Sequence, residues 1–257
     1  MASKIFSPAQ IGSITLQNHL AMAPMTRCRA LGNVPNTLMA EYYAQRASIG
    51  LIITEGTSPS PNGLGYARMP GLFNAEHVAG WKLTTDAVHA KGGRIFVQIM
   101  HSGRIGHALN LPEGAEAVGP SAVAAAGQMW TDQQQMQDHP TPRALTTEEV
   151  RATIQEFVNS AKLAVEAGFD GVELHGANGY LLEQFLNPNS NQRTDEYGGS
   201  VENRARFVLE TVKLVVEAIG AERTGIRLSP WGTASDMAHY PEIDETYAYL
   251  AEECAIS

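Results

Sequence analysis

The sequence predicts an α/β protein of the TIM-barrel, or (β/α)8, class, with about five of the eight β/α units present in its 257 residues. Amphipathic helices alternate with short strands that are apolar on both faces, which is the pattern of a parallel sheet with helices packed on it. A glycine stands between each of these helices and the next strand, where a left-handed cap favours glycine over other residues. Because the units follow one another in order along the chain, they suggest a barrel.

Five strands are predicted, and they begin near residues 19, 51, 94, 171 and 224. The last four are short apolar runs, each preceded by a helix and then by glycine, at Gly50, Gly92-Gly93, Gly168 and Gly220. Polar residues follow or end several of these runs, and the carboxyl ends of barrel strands are where function resides.

Helices are predicted over residues 39–48, 75–91 and 244–255, with two longer ones beginning after Thr146 and Ser200. Thr146 and Glu149 have the spacing of a capping box. Apolar residues then recur on one helical face in both of the longer helices, so each is expected to cover the sheet with that face.

The remaining segments are predicted to belong to the same domain, which spans residues 1–257. Residues 5–18 suggest a small hairpin around Gly12, with Ile5 and Phe6 in one arm, that plugs the bottom of the barrel. Residues 104–145 lack periodicity and are rich in Gly, Pro, Ala and Gln. Loops of that length are usually functional or disordered, and this one follows the third strand on the catalytic face.

Five strands do not close an eight-stranded barrel. Long loops have used much of the length, and the chain reaches Ser257 where a sixth strand is expected. We therefore expect the chain to be the N-terminal two-thirds of the barrel, either truncated or split.

The composition is 44% hydrophobic and 18% charged, and the net charge of −9 is not concentrated in any block. This distribution argues against a nucleic-acid partner. No apolar run is long enough to span a membrane, and the first residues lack the apolar core of a signal peptide. Cys28 and Cys254 do not make a disulfide framework. These features suit a cytoplasmic enzyme that acts on small molecules.

Arg227 lies between two apolar residues on the fifth predicted strand. An arginine that points into a barrel stays charged and needs an anion or several acceptors. Two interpretations are open: a structural salt bridge to a neighbour such as Glu173, or a cation that stabilises the negative charge of a reduced flavin. Gln98 is likewise either a satisfied core amide or a donor and acceptor for the edge of a pyrimidine ring.

His175, Asn178 and Tyr180 follow the fourth strand. A histidine and an asparagine three residues apart could both donate to one substrate oxygen, which would polarise a conjugated C=C bond. Tyr180 could protonate carbon as that centre becomes basic. The alternative is that His175 binds a metal, but no partners have the usual ligand spacing. Because no GxGxxG follows the first strand, an oxidoreductase of this kind would use a bound flavin.

The segments that contain these residues resemble the old yellow enzyme family of flavin oxidoreductases, in its classical branch. The resemblance covers essentially the whole chain in order. Its matching segments are Ala23-Pro24-Met25-Thr26-Arg27, Gln98-Ile99-Met100-His101-Ser102-Gly103-Arg104, the run from His175 to Tyr180, the run from Asn191 to Arg204, and Arg227-Leu228-Ser229-Pro230.

The resemblance implies a TIM barrel that binds FMN non-covalently across its strand ends. The flavin contacts it implies come from Pro24, Met25, Thr26, Gly56, Gln98 and Arg227. It implies that His175 and Asn178 bind the substrate oxygen, that Tyr180 donates the proton, and that Tyr66, Met100 and Trp231 line the substrate pocket. Thr26, where one branch of the family carries cysteine, indicates the classical branch, and Met100 stands where many relatives carry tryptophan.

The implied reaction is a ping-pong reduction of activated C=C bonds in unsaturated carbonyls, nitroalkenes or maleimides, with NADPH or NADH as the reductant. In the family the last three strands supply the FMN phosphate site, so the resemblance implies a C-terminal segment, from a second polypeptide or from a longer protein. A non-catalytic fragment that only complements a split barrel is the alternative. A metal-dependent barrel hydrolase is a third possibility, disfavoured by the missing ligand spacing.

Overall fold

Five parallel strands form the central sheet of the structure, a computed structural model that describes residues 4–256. The strands are β1 (Ala21–Met22), β2 (Leu51–Thr57), β3 (Ile95–Ile99), β4 (Gly171–Gly176) and β5 (Thr224–Leu228). Each strand pairs in parallel with the next one along the chain. The sheet curls into a half-barrel, which confirms the predicted barrel class and the five units that the sequence contains.

Six α-helices accompany the sheet in the described part of the chain. They are α1 (Thr37–Ala44), α2 (Ala75–His89), α3 (Thr147–Glu166), α4 (Leu181–Leu186), α5 (Val201–Ile219) and α6 (Ile243–Ile256). The capping box of Thr146 and Glu149 forms as predicted. Helix α4 was not predicted, because its six residues are all buried and too short a run to show a helical period.

The first helix differs from its predicted bounds. It begins at Thr37, because the side chain of Asn36 accepts a hydrogen bond from the backbone N–H of Met39 at 3.2 Å. It ends at Ala44 rather than at residue 48. Gly50 is needed here for close packing rather than for a left-handed cap, since a Cβ atom would lie 2.1 Å from the carbonyl oxygen of Asn18.

The helices cover one face of the sheet, which we call the outer face. Val97 and Leu174 of the sheet belong to one buried cluster with Trp81, Phe157 and Phe207 of the helices. Replacing a buried aromatic residue of this kind with alanine typically costs about 3–5 kcal/mol, so this layer holds the strand ends in place.

A hairpin covers the amino end of the opposite, inner face. Ala9–Ile11 pairs antiparallel with Ile14–Leu16, and Leu16 packs against Leu51 and Phe96. The prediction that Ile5 and Phe6 form one arm is wrong, because they lie in a 3₁₀ turn, Lys4–Phe6, that the backbone N–H of Ser7 closes.

The long segment between β3 and α3 contains structure of its own. Gln128–Thr131 and Gln135–Asp138 form an antiparallel hairpin, and Val118–Gly119 pairs with Arg143–Ala144. The hairpin is tied to the loop after β2 by an ion pair between Arg68 and Asp132. The segment therefore lies on the side of the sheet where the strands have their carboxyl ends.

The sheet has two edges within residues 4–256, at β1 and at β5. All five residues of β5 are only half-buried, in contrast to the fully buried β3. No helix in the described part of the chain is long and apolar enough to cross a membrane.

Candidate active site

Polar side chains from three neighbouring strands meet on the inner face of the sheet. In the parallel register, Glu173 of β4 lies opposite Gln98 of β3, and His175 lies opposite Arg227 of β5. Residues two apart on a strand share a face, so all four side chains lie on the same side. Gly56 of β2 lies opposite Gln98 and extends this row toward β1.

Gln98 and Glu173 form the deeper layer of this face. The Nε2 atom of Gln98 donates a hydrogen bond to Oε1 of Glu173 at 2.8 Å, and Gln98 is almost fully buried. The Oε1 atom of Gln98 accepts no hydrogen bond within residues 4–256. Burial raises the pKa of Glu173, although Gln98 and the charge of Arg227 act in the opposite direction. The layer thus keeps a free acceptor at Gln98.

Arg227 has no ion-pair partner among the described residues. It is partly buried, and its electrostatic effect reaches Glu173 and His175 without a direct contact to either. The salt bridge to Glu173, one of the two interpretations that the sequence left open, is therefore not formed. A half-buried guanidinium without a counter-ion is able to bind an anion or an electron-rich edge of a ring.

His175 is a buried, neutral hydrogen-bond donor. Its Nδ1 atom is buried and has no hydrogen-bond partner within residues 4–256. Burial, and next the charge of Arg227, lower the pKa of His175 to about 3. A neutral imidazole has one N–H group, and the ring of His175 donates it to no residue from 4 to 256.

Asn178, three residues after His175, has an unengaged side chain. It adopts the left-handed conformation, with φ of 56°. Its backbone N–H donates to Oγ of Ser229 at 2.9 Å, while its amide group makes no hydrogen bond with any residue from 4 to 256. Neither the Nδ1 atom of His175 nor the amide group of Asn178 is therefore engaged by a residue from 4 to 256.

Tyr180 shares a hydrogen bond with Tyr66. The two hydroxyl oxygens are 2.8 Å apart, and the ring of Tyr180 packs edge-on against His175 at 5.0 Å. Burial and the neighbouring Tyr66 raise the pKa of Tyr180 well above its usual range. Tyr180 therefore stays protonated at neutral pH and can act as a proton donor.

An apolar cluster surrounds this pair of tyrosines. Met100 is buried there with Tyr66 and Tyr180. A Cβ atom at Gly56 would lie 2.7 Å from the sulfur of Met100, so a side chain at this position would displace the thioether of Met100. Trp231, which was predicted to line the same pocket, is 55% exposed and packs on His239 instead. The structure brings Met100 and Tyr66 to Tyr180 but does not bring Trp231 there.

Glu55, which the sequence did not single out, holds the loop after β1. Its carboxylate accepts hydrogen bonds from the backbone N–H of Arg27 at 3.1 Å and from the hydroxyl of Tyr43 at 3.1 Å. The loop leaves Met25 and Thr26 exposed and Pro24 half-buried. A carboxylate two residues after the apolar run Leu51–Ile53 was the available signal, but its partners lie on other elements and only the fold shows them.

Possible metal ligands are not grouped in the described structure. Within residues 4–256, no three His, Cys, Asp or Glu side chains lie together as a metal site requires. The hydrolase alternative therefore has no ligand set in this part of the chain.

Comparison with known proteins supplies a further observation. The sequence model of the NADH:flavin oxidoreductase / NADH oxidase family matches residues 4–256. A probable flavin mononucleotide-dependent alkene reductase from Leishmania infantum is 46% identical over 239 residues, which are 91% of this chain and 66% of that protein.

Two solved structures have the same arrangement of elements. Morphinone reductase in complex with tetrahydroNAD is 46% identical, with a TM-score of 0.92 over 98% of this chain and 70% of that one. The old yellow enzyme homologue from Zymomonas mobilis is 40% identical, with a TM-score of 0.94 over 99% of this chain and 71% of that one. The chain spans about two-thirds of the length of these relatives.

Proposed function

Because the chain belongs to the NADH:flavin oxidoreductase / NADH oxidase family, which includes the old yellow enzymes, we propose that it is the flavin-binding part of an ene-reductase. The proposed substrates are alkenes conjugated to a carbonyl or nitro group, or maleimides, and the proposed reductant is NADPH or NADH. The observation that carries the proposal is that the ring of His175 packs against Tyr180 and lies opposite Arg227 in the sheet, while the side chains of His175 and Asn178 make no hydrogen bond with any residue from 4 to 256.

The residues of the inner face fit FMN. Among the described residues Arg227 has no counter-ion, and the Oε1 atom of Gln98, two strands away in the same sheet, accepts no hydrogen bond. This combination suits the alternating donors and acceptors of a flavin's pyrimidine edge and the charge that the ring acquires when it is reduced. We propose that these two residues bind the ring together with Gly56 and the exposed segment Pro24–Met25–Thr26.

When bound, FMN would supply hydride chemistry by accepting a hydride from the nicotinamide and passing it to the β-carbon of the alkene. His175 and Asn178 would each donate a hydrogen bond to the carbonyl or nitro oxygen of the substrate. Negative charge develops on that oxygen as the hydride reaches the β-carbon, so these bonds strengthen in the transition state. The neutral state of His175 leaves its N–H as the donor throughout.

Tyr180 would complete the addition by protonating the α-carbon. The new C–H bond uses the electron pair of the enolate or nitronate, and the O–H bond of Tyr180 breaks. The resulting phenolate would be stabilised by a hydrogen bond from Tyr66, whose hydroxyl already lies 2.8 Å away. We propose that Met100 and the ring of Tyr66 line the substrate pocket and exclude water from it.

The function can be tested on the full-length protein. We expect it to purify with the visible absorbance of oxidised flavin and to lose that colour when NADPH or NADH is added without oxygen. Addition of 2-cyclohexenone or a nitroalkene should restore the colour and give a product in which the C=C bond carries two more hydrogen atoms. A colourless protein that takes up no FMN, or a reduced flavin that no activated alkene reoxidises, would overturn the proposal.

We also propose that residues 1–257 act as one FMN-binding domain that a C-terminal segment completes, whether that segment belongs to the same protein or to a second polypeptide. Strands β1 and β5 each pair on one side only within residues 4–256. A segment carrying three further β/α units would pair with both edges, as barrel closure requires. The alternative role, a fragment that only complements a partner, predicts the same assembly without turnover.

Residues 1–257 produced alone are expected to self-associate and to hold little FMN. Open sheet edges promote association, and Leu38 of α1 is 58% exposed. Size-exclusion chromatography followed at the flavin wavelength, with and without a fragment carrying the missing units, checks this. The fragment should restore a single coloured peak. A monodisperse coloured monomer of 27.7 kDa without it would contradict the prediction.

A further inference from the structure

A buried carboxylate lies behind the loop that presents Asn178 and Tyr180. Glu183 is on α4, and only 4% of its surface is exposed. Its Oε2 atom accepts the backbone N–H of Gly179 at 2.6 Å, and its Oε1 atom accepts the hydroxyl of Tyr247 on α6 at 2.8 Å. It forms no ion pair with any residue from 4 to 256, so hydrogen bonds alone offset the cost of burying its charge.

Ser229 extends this contact to the residue before Gly179. Its hydroxyl donates to the Glu183 carboxylate at 3.0 Å and accepts the backbone N–H of Asn178 at 2.9 Å. A single carboxylate therefore holds two consecutive backbone amides, one directly and one through a hydroxyl. It also ties the loop after β4 to the end of β5.

The backbone of residues 178 and 179, which these hydrogen bonds hold, has a left-handed conformation that needs such support. Asn178 has φ of 56° and Gly179 has φ of 80°, so two left-handed residues stand in succession just before Tyr180. Left-handed backbone is costly for a residue with a side chain and persists where surrounding contacts determine it. Gly179 is also packed closely, because a Cβ atom there would lie 2.6 Å from the carbonyl oxygen of Ala234.

We infer that Glu183 is a positioning residue of the proposed ene-reductase site. Its carboxylate fixes the backbone at Gly179 and, through Ser229, at Asn178, and so sets where the amide of Asn178 and the hydroxyl of Tyr180 point. Glu183 does not touch the substrate. The inference deepens the proposed function and rests on it.

The groups that contact Glu183 determine which side chains could replace its carboxylate. Gly179 and Ser229 both present donors to Glu183, so an apolar residue would leave both without a partner in a buried place. A glutamine could keep its oxygen on Gly179 and turn its NH₂ group to Tyr247, whose hydroxyl is able to accept. Glutamine should therefore preserve most of the geometry, and leucine should not.

The test compares Glu183→Leu and Glu183→Gln in the full-length, FMN-loaded protein, with Asp170→Asn as the matched control. Asp170 also accepts three hydrogen bonds, from Ile95, His89 and Arg94, but at the amino end of the sheet. Misplacement of a reacting group by about 1 Å can cost about 100-fold in rate, so we expect Glu183→Leu to slow alkene reduction by about 10- to 100-fold. Glu183→Gln should retain most of the rate, and Asp170→Asn nearly all of it.

Two further measurements separate positioning from general loss of structure. Hydrogen–deuterium exchange of the peptide covering residues 176–182 should speed up in Glu183→Leu but not in Asp170→Asn, with or without FMN. In a Tyr180→Phe background, Glu183→Leu should cost less than it does in the wild type, because one of the two groups that it positions is gone and only Asn178 remains to be misplaced. If Glu183→Leu does not fold, Ser229→Ala tests the same link to Asn178 and should give the same exchange result.

An unchanged rate in Glu183→Leu, an unchanged exchange rate, or an equal loss in both backgrounds would overturn the inference while leaving the proposed function intact. A wild-type protein that binds FMN but reduces no activated alkene would overturn the proposed function, and this inference with it.

Discussion

Replacing Tyr180 with phenylalanine is expected to slow alkene reduction by about 10²- to 10⁴-fold, the usual contribution of a general acid. Reduction of the flavin by NADPH should change little, because that half-reaction delivers no proton to carbon. Burial keeps Tyr180 protonated at neutral pH, so the proton is present when the α-carbon becomes basic. Stopped-flow measurement of the two half-reactions, followed through flavin absorbance, checks the prediction.

Tyr66→Phe is the matched variant for this experiment. It removes the same hydroxyl group from the other side of the 2.8 Å contact and leaves Tyr180 able to donate. We expect a smaller loss in the same half-reaction, because only the hydrogen bond that stabilises the Tyr180 phenolate is removed. Equal slowing of flavin reduction and alkene reduction in Tyr180→Phe would remove this residue from the donor role.

The strands and their order follow from sequence pattern because the sheet is parallel and covered by helices. A strand buried on both faces must be apolar along its length, so polar residues such as Gln98 and Arg227 are conspicuous in the sequence. Parallel register then requires that strand ends meet at one edge. His175 and Arg227, 52 positions apart in the sequence, lie opposite each other for that reason.

The residues that hold the site residues in place could not be predicted from the sequence pattern. Glu55 and Glu183 act on residues of other elements, and the partners of Glu183 come from α6, from the end of β5 and from its own neighbourhood. No sequence period relates Glu183 to Tyr247 or Ser229. These contacts depend on where the fold places α4 relative to α6 and to the end of β5. Helix α4 itself is too short to predict.

Loop residues were the least predictable members of the proposed pocket. Tyr66 and Met100 meet because the loop after β2 folds back over the end of β3. Trp231 follows β5 with φ of 66°, and its ring is turned to His239. The sequence places Trp231 after the correct strand, but the backbone conformation decides where its side chain points.

Burial sets the protonation states that the proposed reaction needs. It lowers the pKa of His175 and raises the pKa of Tyr180, so both groups are neutral at pH 7. A charged imidazole would compete with Arg227 for electron-rich groups, and a tyrosinate could not donate a proton. The same apolar surroundings therefore prepare a neutral imidazole at the end of β4 and an acid just after it, at the start of α4.

Substituting His175 and Asn178 together is expected to weaken the binding of phenols to the FMN-loaded protein by about 100-fold or more. Phenolates imitate the enolate oxygen, and a hydrogen bond to a charged group is worth about 1.5–3 kcal/mol. His175→Leu removes the N–H donor, and Asn178→Gly removes the amide while tolerating the left-handed backbone at this position. Titration of the long-wavelength charge-transfer absorbance of the phenol complex gives the dissociation constant.

Each single variant should lose part of the affinity, and Asp170→Asn, at the far end of the sheet, should lose none. A double variant that binds phenol as tightly as the wild type would show that the oxygen site lies elsewhere on the inner face.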